Sequence, residues 1–219
     1  MSPGETAASP GESARDPLHG GGEDAGASDT SDCLTRLVAA GRLGLADGEV
    51  RMVAPDDEWP LAFAAIYARL APVTGDARIA HIGSTSVPGM PGKPLVDVSV
   101  GLAEGSALDA EPASAAGFVF RAVNPEAVLF ALYSPLGLRI ANVHVRYRDT
   151  GPERWDLLWR DYLRANPGEV AAYAEAKEAA AHLHRQRQAY SAAKGHFITA
   201  AATRARAWGV RTGWAPRSG

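Results

Sequence analysis

His81-Ile82-Gly83-Ser84-Thr85-Ser86-Val87-Pro88-Gly89, followed three residues later by Lys93-Pro94-Leu95-Val96-Asp97-Val98-Ser99-Val100, sets a hydroxyl-rich glycine turn just ahead of an acid-bearing strand. Backbone N–H groups of such a turn form an anion-binding concavity, and Gly83 opens it while Ser84, Thr85 and Ser86 add hydroxyl donors. Asp97 supplies the hard oxygen that suits Mg²⁺, and Lys93 can aim its ammonium at a phosphate. The pattern points to a nucleoside triphosphate or a similar phosphorylated small molecule as ligand.

Working outward, Arg78 to Ile82 reads as a short strand leading into the turn and Pro94 to Gly101 as the next, apolar at Leu95, Val96, Val98 and Val100 with Asp97 the exception. Upstream, Asp47-Gly48 is turn chemistry and Glu49 to Val53 alternates like a strand. Pro55-Asp56-Asp57-Glu58 then starts a helix through Leu70, with Trp59, Phe63, Ile66, Tyr67 and Leu70 on one face. Trp59 therefore reads as core. Downstream, the pattern predicts a helix over Ala107 to Ala115, two strands between Phe118 and Ile140 divided by Ser134-Pro135-Leu136-Gly137, and a continuation over Leu138 to Tyr147.

After Pro152 the periodicity is helical. Trp155, Leu158, Trp159 and Leu163 form one stripe, and Asn166-Pro167 with Glu169 reads as a capped start for the next helix. The Ala-rich remainder to Trp208 predicts two helices bending around Gln186 to Ser191. The fold class expected is α/β (α+β): a small mixed sheet over 49–150 flanked by helices, with a helical C-terminal portion over 152–208, all in one domain over 31–219.

Residues 1–30 are rich in Gly, Ser, Ala, Pro and acid, so ordering them is not offset by burial, and they read as a disordered acidic tail. A helix over Asp32 to Ala40 follows, with Leu34, Leu37 and Val38 at helical spacing. Seven acids against Arg15 make residues 1–32 net −6, and with −3 for the whole chain the remainder carries +3. From His182 onward there are seven Lys/Arg and no acid, a locally basic end that attracts anions.

A composition of 46% hydrophobic and 21% charged residues is that of an ordinary globular domain with one core. The single Cys33 excludes an intramolecular disulfide and a cysteine zinc cluster, and no apolar run is long enough for a membrane span or a signal-peptide core, so a cytoplasmic protein is expected.

The stretch from His81 to Val100 resembles the signature of the GrpB family, whose fold belongs to the nucleotidyltransferase superfamily. Val50-Arg51-Met52-Val53 and Glu58-Trp59-Pro60 resemble its opening strand and helix, Val143-His144-Val145 its histidine-bearing strand, and Trp159 to Pro167 and Tyr190-Ser191-Ala192-Ala193-Lys194 its C-terminal helices. The resemblance runs in order from residue 49 to about 208. It implies a Gly-Ser turn holding a triphosphate, with two carboxylates one residue apart on the next strand holding metal and a third group from a neighbouring strand. Asp97 follows Ser84 by thirteen positions, as that order requires, but Ser99 stands where the second acid is expected.

His144, two residues from Asn142 and on its strand face, takes the place of the third group as metal ligand or general base. Arg160, Arg164, Tyr190 and Lys194 match family positions on the helices, and Lys194 is a further phosphate contact; Tyr173 and Lys177 repeat the same spacing more weakly. His81 reads as a brace for the loop. His182 and His184, two apart on a helix, are a poor metal pair. Trp208 and Trp214 are too few among the terminal arginines for a nucleic-acid platform.

The expected activity is therefore Mg²⁺-dependent transfer of a nucleotidyl group from a nucleoside triphosphate to a small acceptor, or activation of that acceptor. Two alternatives stand beside it. One is a non-catalytic phospho-ligand-binding or accessory module, in keeping with a resemblance to a segment fused to dephospho-CoA kinases. The other is a small-molecule enzyme using the same pocket for chemistry unrelated to nucleotides.

Overall fold

The computed structural model describes the backbone of residues 25–183 and 187–217, and the side chains of residues 32–182, 192 and 195–217. Helix α1 (Ala25–Ala39) buries Leu34, Leu37 and Val38 on one side, as their spacing requires. It starts inside the stretch expected to be tail; residues 1–24 lie outside the described ones. The chain then turns at Gly41 and Gly44 and enters α2 (Trp59–Thr74). Arg42 grips the entry to α2 through Asp56 (2.6 Å) and Glu58 (2.7 Å).

Trp59, Ile66 and Leu70 are buried as expected, Phe63 is half-buried, and Tyr67 is exposed at the rim of the stripe. The strand expected over Glu49 to Val53 does not form. Only Val53 pairs, exchanging two backbone hydrogen bonds with Gly92, so the segment braces the loop after the turn instead of joining the sheet.

The sheet has β1 (Arg78–Ile82), β2 (Val96–Leu102), β3 (Phe118–Asn124), β4 (Ala127–Tyr133) and β5 (Arg139–Tyr147) in the order β1-β2-β5-β4-β3. All pairs are antiparallel except β2 with β5, which sets Asp97 opposite Asn142 and Ser99 opposite His144. The fold is the mixed α/β arrangement expected. One more strand lies between Phe118 and Ile140 than the sequence suggested. Pro125-Glu126 makes the extra turn, where the Asn124 side chain accepts from the N–H groups of Glu126 and Ala127 (2.8 Å each), and Ser134 to Gly137 joins β4 to β5.

Alternation divides the sheet's two faces. Val96, Val98, Val100, Val143 and Val145 pack with Leu37, Trp59, Ile66 and Leu70 in the main core, beside the short α3 (Ala110–Ala115). Asp97, Ser99 and Gly101 point the other way, toward α4 (Gly151–Ala165), on which α5 (Pro167–Leu183) and α6 (Arg187–Thr212) pack. Arg78 ties that layer down, donating to the fully buried Glu153 at 2.8 and 2.7 Å. Gly101 makes room for the pair, since a Cβ there would lie 2.7 Å from Glu153 Oε1.

Asn166 holds the N-cap position of α5, its carbonyl accepting from the N–H groups of Glu169 (2.9 Å) and Val170 (3.2 Å). The side-chain capping box does not form: the Asn166 amide donates back to Tyr162 O (2.6 Å), and Glu169 binds Arg204 (2.7 and 2.9 Å). The predicted bend begins at Gln186, outside the described residues, and Arg187 to Ser191 already belong to α6. Among the described residues no helix is long and apolar enough to cross a membrane.

Candidate functional site

β1 ends at Ile82 and the chain reverses at Gly83 into a single 3₁₀ turn over Ser84–Ser86. Gly83 has φ 71° and ψ −169°, and a Cβ on it would lie 2.5 Å from Asp97 Oδ2. Only glycine meets both demands. The turn's backbone is thereby pressed against the carboxylate of the next strand.

Three side chains hold the turn from below. His81 is buried, stacked on Phe63 with ring centroids 4.8 Å apart, and its Nε2 lies 2.9 Å from Thr85 Oγ1. The Thr85 hydroxyl spends its proton on Leu95 O (3.2 Å), so His81 Nε2 carries the hydrogen and donates it. Arg160 donates to His81 O (3.1 Å), and Arg164 donates to Ser86 O (2.9 Å). Burial lowers the Arg164 pKa, with Arg160 adding to the shift and Asp161 opposing it.

Burial, with Arg164 and Arg160 nearby, pushes His81 down from 6.5 to about 3 against an opposing pull from Asp97. The unfolded chain therefore binds this proton first, and stability falls as pH drops from 6.5 toward 3. The loss attributable to His81 by pH 5 is about 2 kcal/mol. Thermal denaturation at pH 7 and pH 5 is expected to show a smaller drop for His81→Phe than for the native protein; equal drops would remove His81 from the account.

Gly83, Ser84, Lys93, Asp97 and His144 all line one cavity of about 450 Å³ between the sheet and the C-terminal helices. Thr85 and Ser86 do not line it. Both are buried, and the Ser86 hydroxyl donates to Gly83 O (2.6 Å), so these two shape the turn from within. The side chains of Tyr190 and Lys194 lie outside the described residues. Lys177 is instead the helix lysine that reaches the turn. It is 1% exposed, donates to Ser84 Oγ (2.7 Å) and to Pro91 O, and sits 5.3 Å from the Tyr173 ring centroid.

The cavity also gathers cations that the sequence reading did not single out: Arg121, Arg139 and Arg146 beside Lys93. Arg146 is reachable by period-two counting from Asn142 and His144, whereas Arg139 and Arg121 lie near register shifts that break the count. Arg146 pairs with Asp156 and donates to Glu126 O (3.1 Å), and Arg121 and Arg139 share Asp47 at 3.0 and 3.5 Å. Trp155, Trp159 and Tyr173 form an aromatic wall.

Asp97 receives a hydrogen bond from Asn142 Nδ2 (2.7 Å) at Oδ1, which fixes the carboxylate with Oδ2 beside Gly83. Ser99 is 1% exposed, its hydroxyl is buried without a partner, and it does not line the cavity. Among the described residues no three His, Cys, Asp or Glu side chains are grouped to hold a metal ion. The described residues therefore do not build a multi-carboxylate centre for two ions. One ion held by Asp97 and completed by a ligand's own phosphates matches the donor set.

A dephospho-CoA kinase of Mycolicibacterium paratuberculosis is 31% identical over 206 residues, a match covering 78% of this chain and 50% of that protein. The chain thus spans about half the length of that relative. Among solved structures, the conserved protein GrpB from Enterococcus faecalis superposes with TM-score 0.58 at 22% identity, covering 68% of this chain and 98% of that one. A remoter likeness, TM-score 0.41 at 14% identity over 67% of this chain and 46% of the other, is to the Cid1 poly(U) polymerase with MgGTP bound. The family model for the GrpB protein matches residues 49–204, and with the turn, the Asp97 strand and the histidine strand all inside that span, the chain belongs to the GrpB family.

Proposed function

We propose that the chain binds a nucleoside triphosphate in this cavity, together with Mg²⁺, and transfers its nucleotidyl group to a small acceptor. The observation that carries the reading is the meeting of one fixed carboxylate, Asp97, with a glycine turn and four cations in a single cavity. The turn and Lys93, Arg121, Arg139 and Arg146 match a polyanion, and Asp97 matches the one cation such a ligand brings with it. That ion supplies charge neutralisation at the phosphates.

The acceptor's hydroxyl or amine attacks the α-phosphorus, forming the new P–O or P–N bond while the bond to the β-phosphate oxygen breaks and pyrophosphate leaves. His144, two residues beyond Asn142 on the cavity face, takes the acceptor's proton. Lys177 keeps Ser84 and the Pro91 loop in register, so the turn is set before ligand arrives.

The burial of Ser99 favours a second reading, in which the same cavity holds a phosphorylated ligand without turning it over. A thermal-shift titration of the full chain with each nucleoside triphosphate, with and without Mg²⁺, tests binding, since a ligand raises apparent stability by mass action. A metal-dependent rise accompanied by pyrophosphate release supports transfer. A rise without release when hydroxyl and amine acceptors are supplied supports the binding module, and no rise with any triphosphate overturns the transfer reading and leaves the cavity to another phosphorylated ligand.

A further inference from the structure

We infer that a second groove, between α4 and α6, is the acceptor subsite and takes a nucleotide-sized aromatic anion; this rests on the transfer reading above. The groove, of about 720 Å³, is lined by Trp155, Trp214, Arg154 and Arg206 with Val210 at its edge. That volume is typical of a small-molecule site. Arg206 lies 5.3 Å from the Trp155 ring centroid and Arg154 lies 5.7 Å from that of Trp214. Trp155 already stacks on Trp159, with ring centroids 5.7 Å apart, so the stacking surface for a planar ring is the Trp214 indole together with the two guanidinium planes, which also donate to its phosphate or carboxylate.

The basic C-terminal sequence divides its labour here. Arg204 is committed to Glu169 at 2.7 and 2.9 Å, whereas Arg206, two residues on, is exposed and turned to the groove. Asp149, 3.8 Å from Arg154, is the nearby acid, and it is also held by Arg78 at 2.9 Å. The groove is positive on balance.

Two connections join the groove to the triphosphate cavity. Trp155 lines both. Trp214 Nε1 donates to Asp161 (2.9 Å), Asp161 accepts from Arg160 (2.7 Å), and Arg160 donates to His81 O (3.1 Å), one residue ahead of the strand end that feeds Gly83. Trp155 is thus a wall that the groove shares with the cavity of the glycine turn. One stacking indole in a short groove suits a single nucleotide rather than a polynucleotide, which needs successive platforms.

The test is calorimetric titration of the full chain with AMP as probe, with ribose 5-phosphate and adenosine as the ring-less and anion-less controls. AMP is expected to bind more tightly than either control, and Arg206→Ala is expected to weaken it about five-fold, with Arg206→Glu weakening it further. Asp97→Asn is expected to leave AMP binding unchanged, and Arg206→Ala to leave the Mg²⁺-dependent triphosphate shift unchanged. AMP affinity equal in Arg206→Glu and native protein, or equal to that of ribose 5-phosphate, overturns the subsite. Tighter binding of a single-stranded oligonucleotide than of AMP overturns the small-acceptor assignment. Loss of the triphosphate shift in the native protein while AMP binding stays Arg206-dependent sinks the transfer reading and leaves the groove as a nucleotide site.

Discussion

Asp97→Asn is expected to leave the protein folded while metal-dependent turnover of triphosphate falls about a thousand-fold or more. The substitution preserves shape, and Asn142, whose amide donates to Asp97 Oδ1 at 2.7 Å, can turn its own carbonyl to meet the new amide. Folding therefore has an intact neighbourhood. The charge has no substitute, because Ser99 is buried away from the cavity and Asp156 is engaged by Arg146. Pyrophosphate release under saturating Mg²⁺ gives the readout, with circular dichroism as the control for folding. Turnover within ten-fold of native in a folded variant would strip Asp97 of its role.

Gly83→Ala carries the largest expected loss of stability from adding a single carbon. At φ 71° and ψ −169° the position suits glycine alone, and the new Cβ would meet Asp97 Oδ2 at 2.5 Å. Backbone strain and the displaced carboxylate together cost about 3 kcal/mol, or about 10 °C in Tm for a chain of this size. A cycle with Asp97→Ala separates the two parts: the double variant is expected to recover the steric share and keep the backbone share. A Tm within a degree or so of native for Gly83→Ala would mean the turn relaxes freely, and the close fit between turn and carboxylate would lose its meaning.

The turn and its strands were legible because their signals are local. Glycine, hydroxyls and period-two alternation bounded β1 at Arg78 and Ile82 and put Asp97 on the minority face of β2. The opening strand failed because alternation over Glu49 to Val53 says nothing about whether a partner edge is available, and β1 already forms that edge. The turn at Pro125-Glu126 went unseen because the apolar run from Ala127 to Tyr133 reads smoothly into the next loop, and the decisive group is a single side chain, Asn124.

Lys177 was underweighted for a different reason. A lysine in an Ala-rich helix carries the pattern of a solvated face, and nothing nearby in sequence reveals that its partner is Ser84, 93 residues away. The same holds for the arginines of the cavity, which arrive through pairing and register shifts. Only His144, Asn142 and Arg146 shared a readable period.

The separations across the site also bear on how the molecule comes together in time. Asn142 reaches Asp97 across 45 residues, Arg160 reaches His81 across 79, and Lys177 reaches Ser84 across 93. The parallel β2–β5 pair cannot close until α3 and the β3–β4 hairpin between its strands have been made. Such non-local topologies fold slowly, because the entropy of closing long loops is lost before the contacts are gained. On an emerging chain the glycine turn would thus wait for α4 to bring Arg160 and Arg164 and for α5 to bring Lys177, and its finished shape would be among the last features this protein acquires.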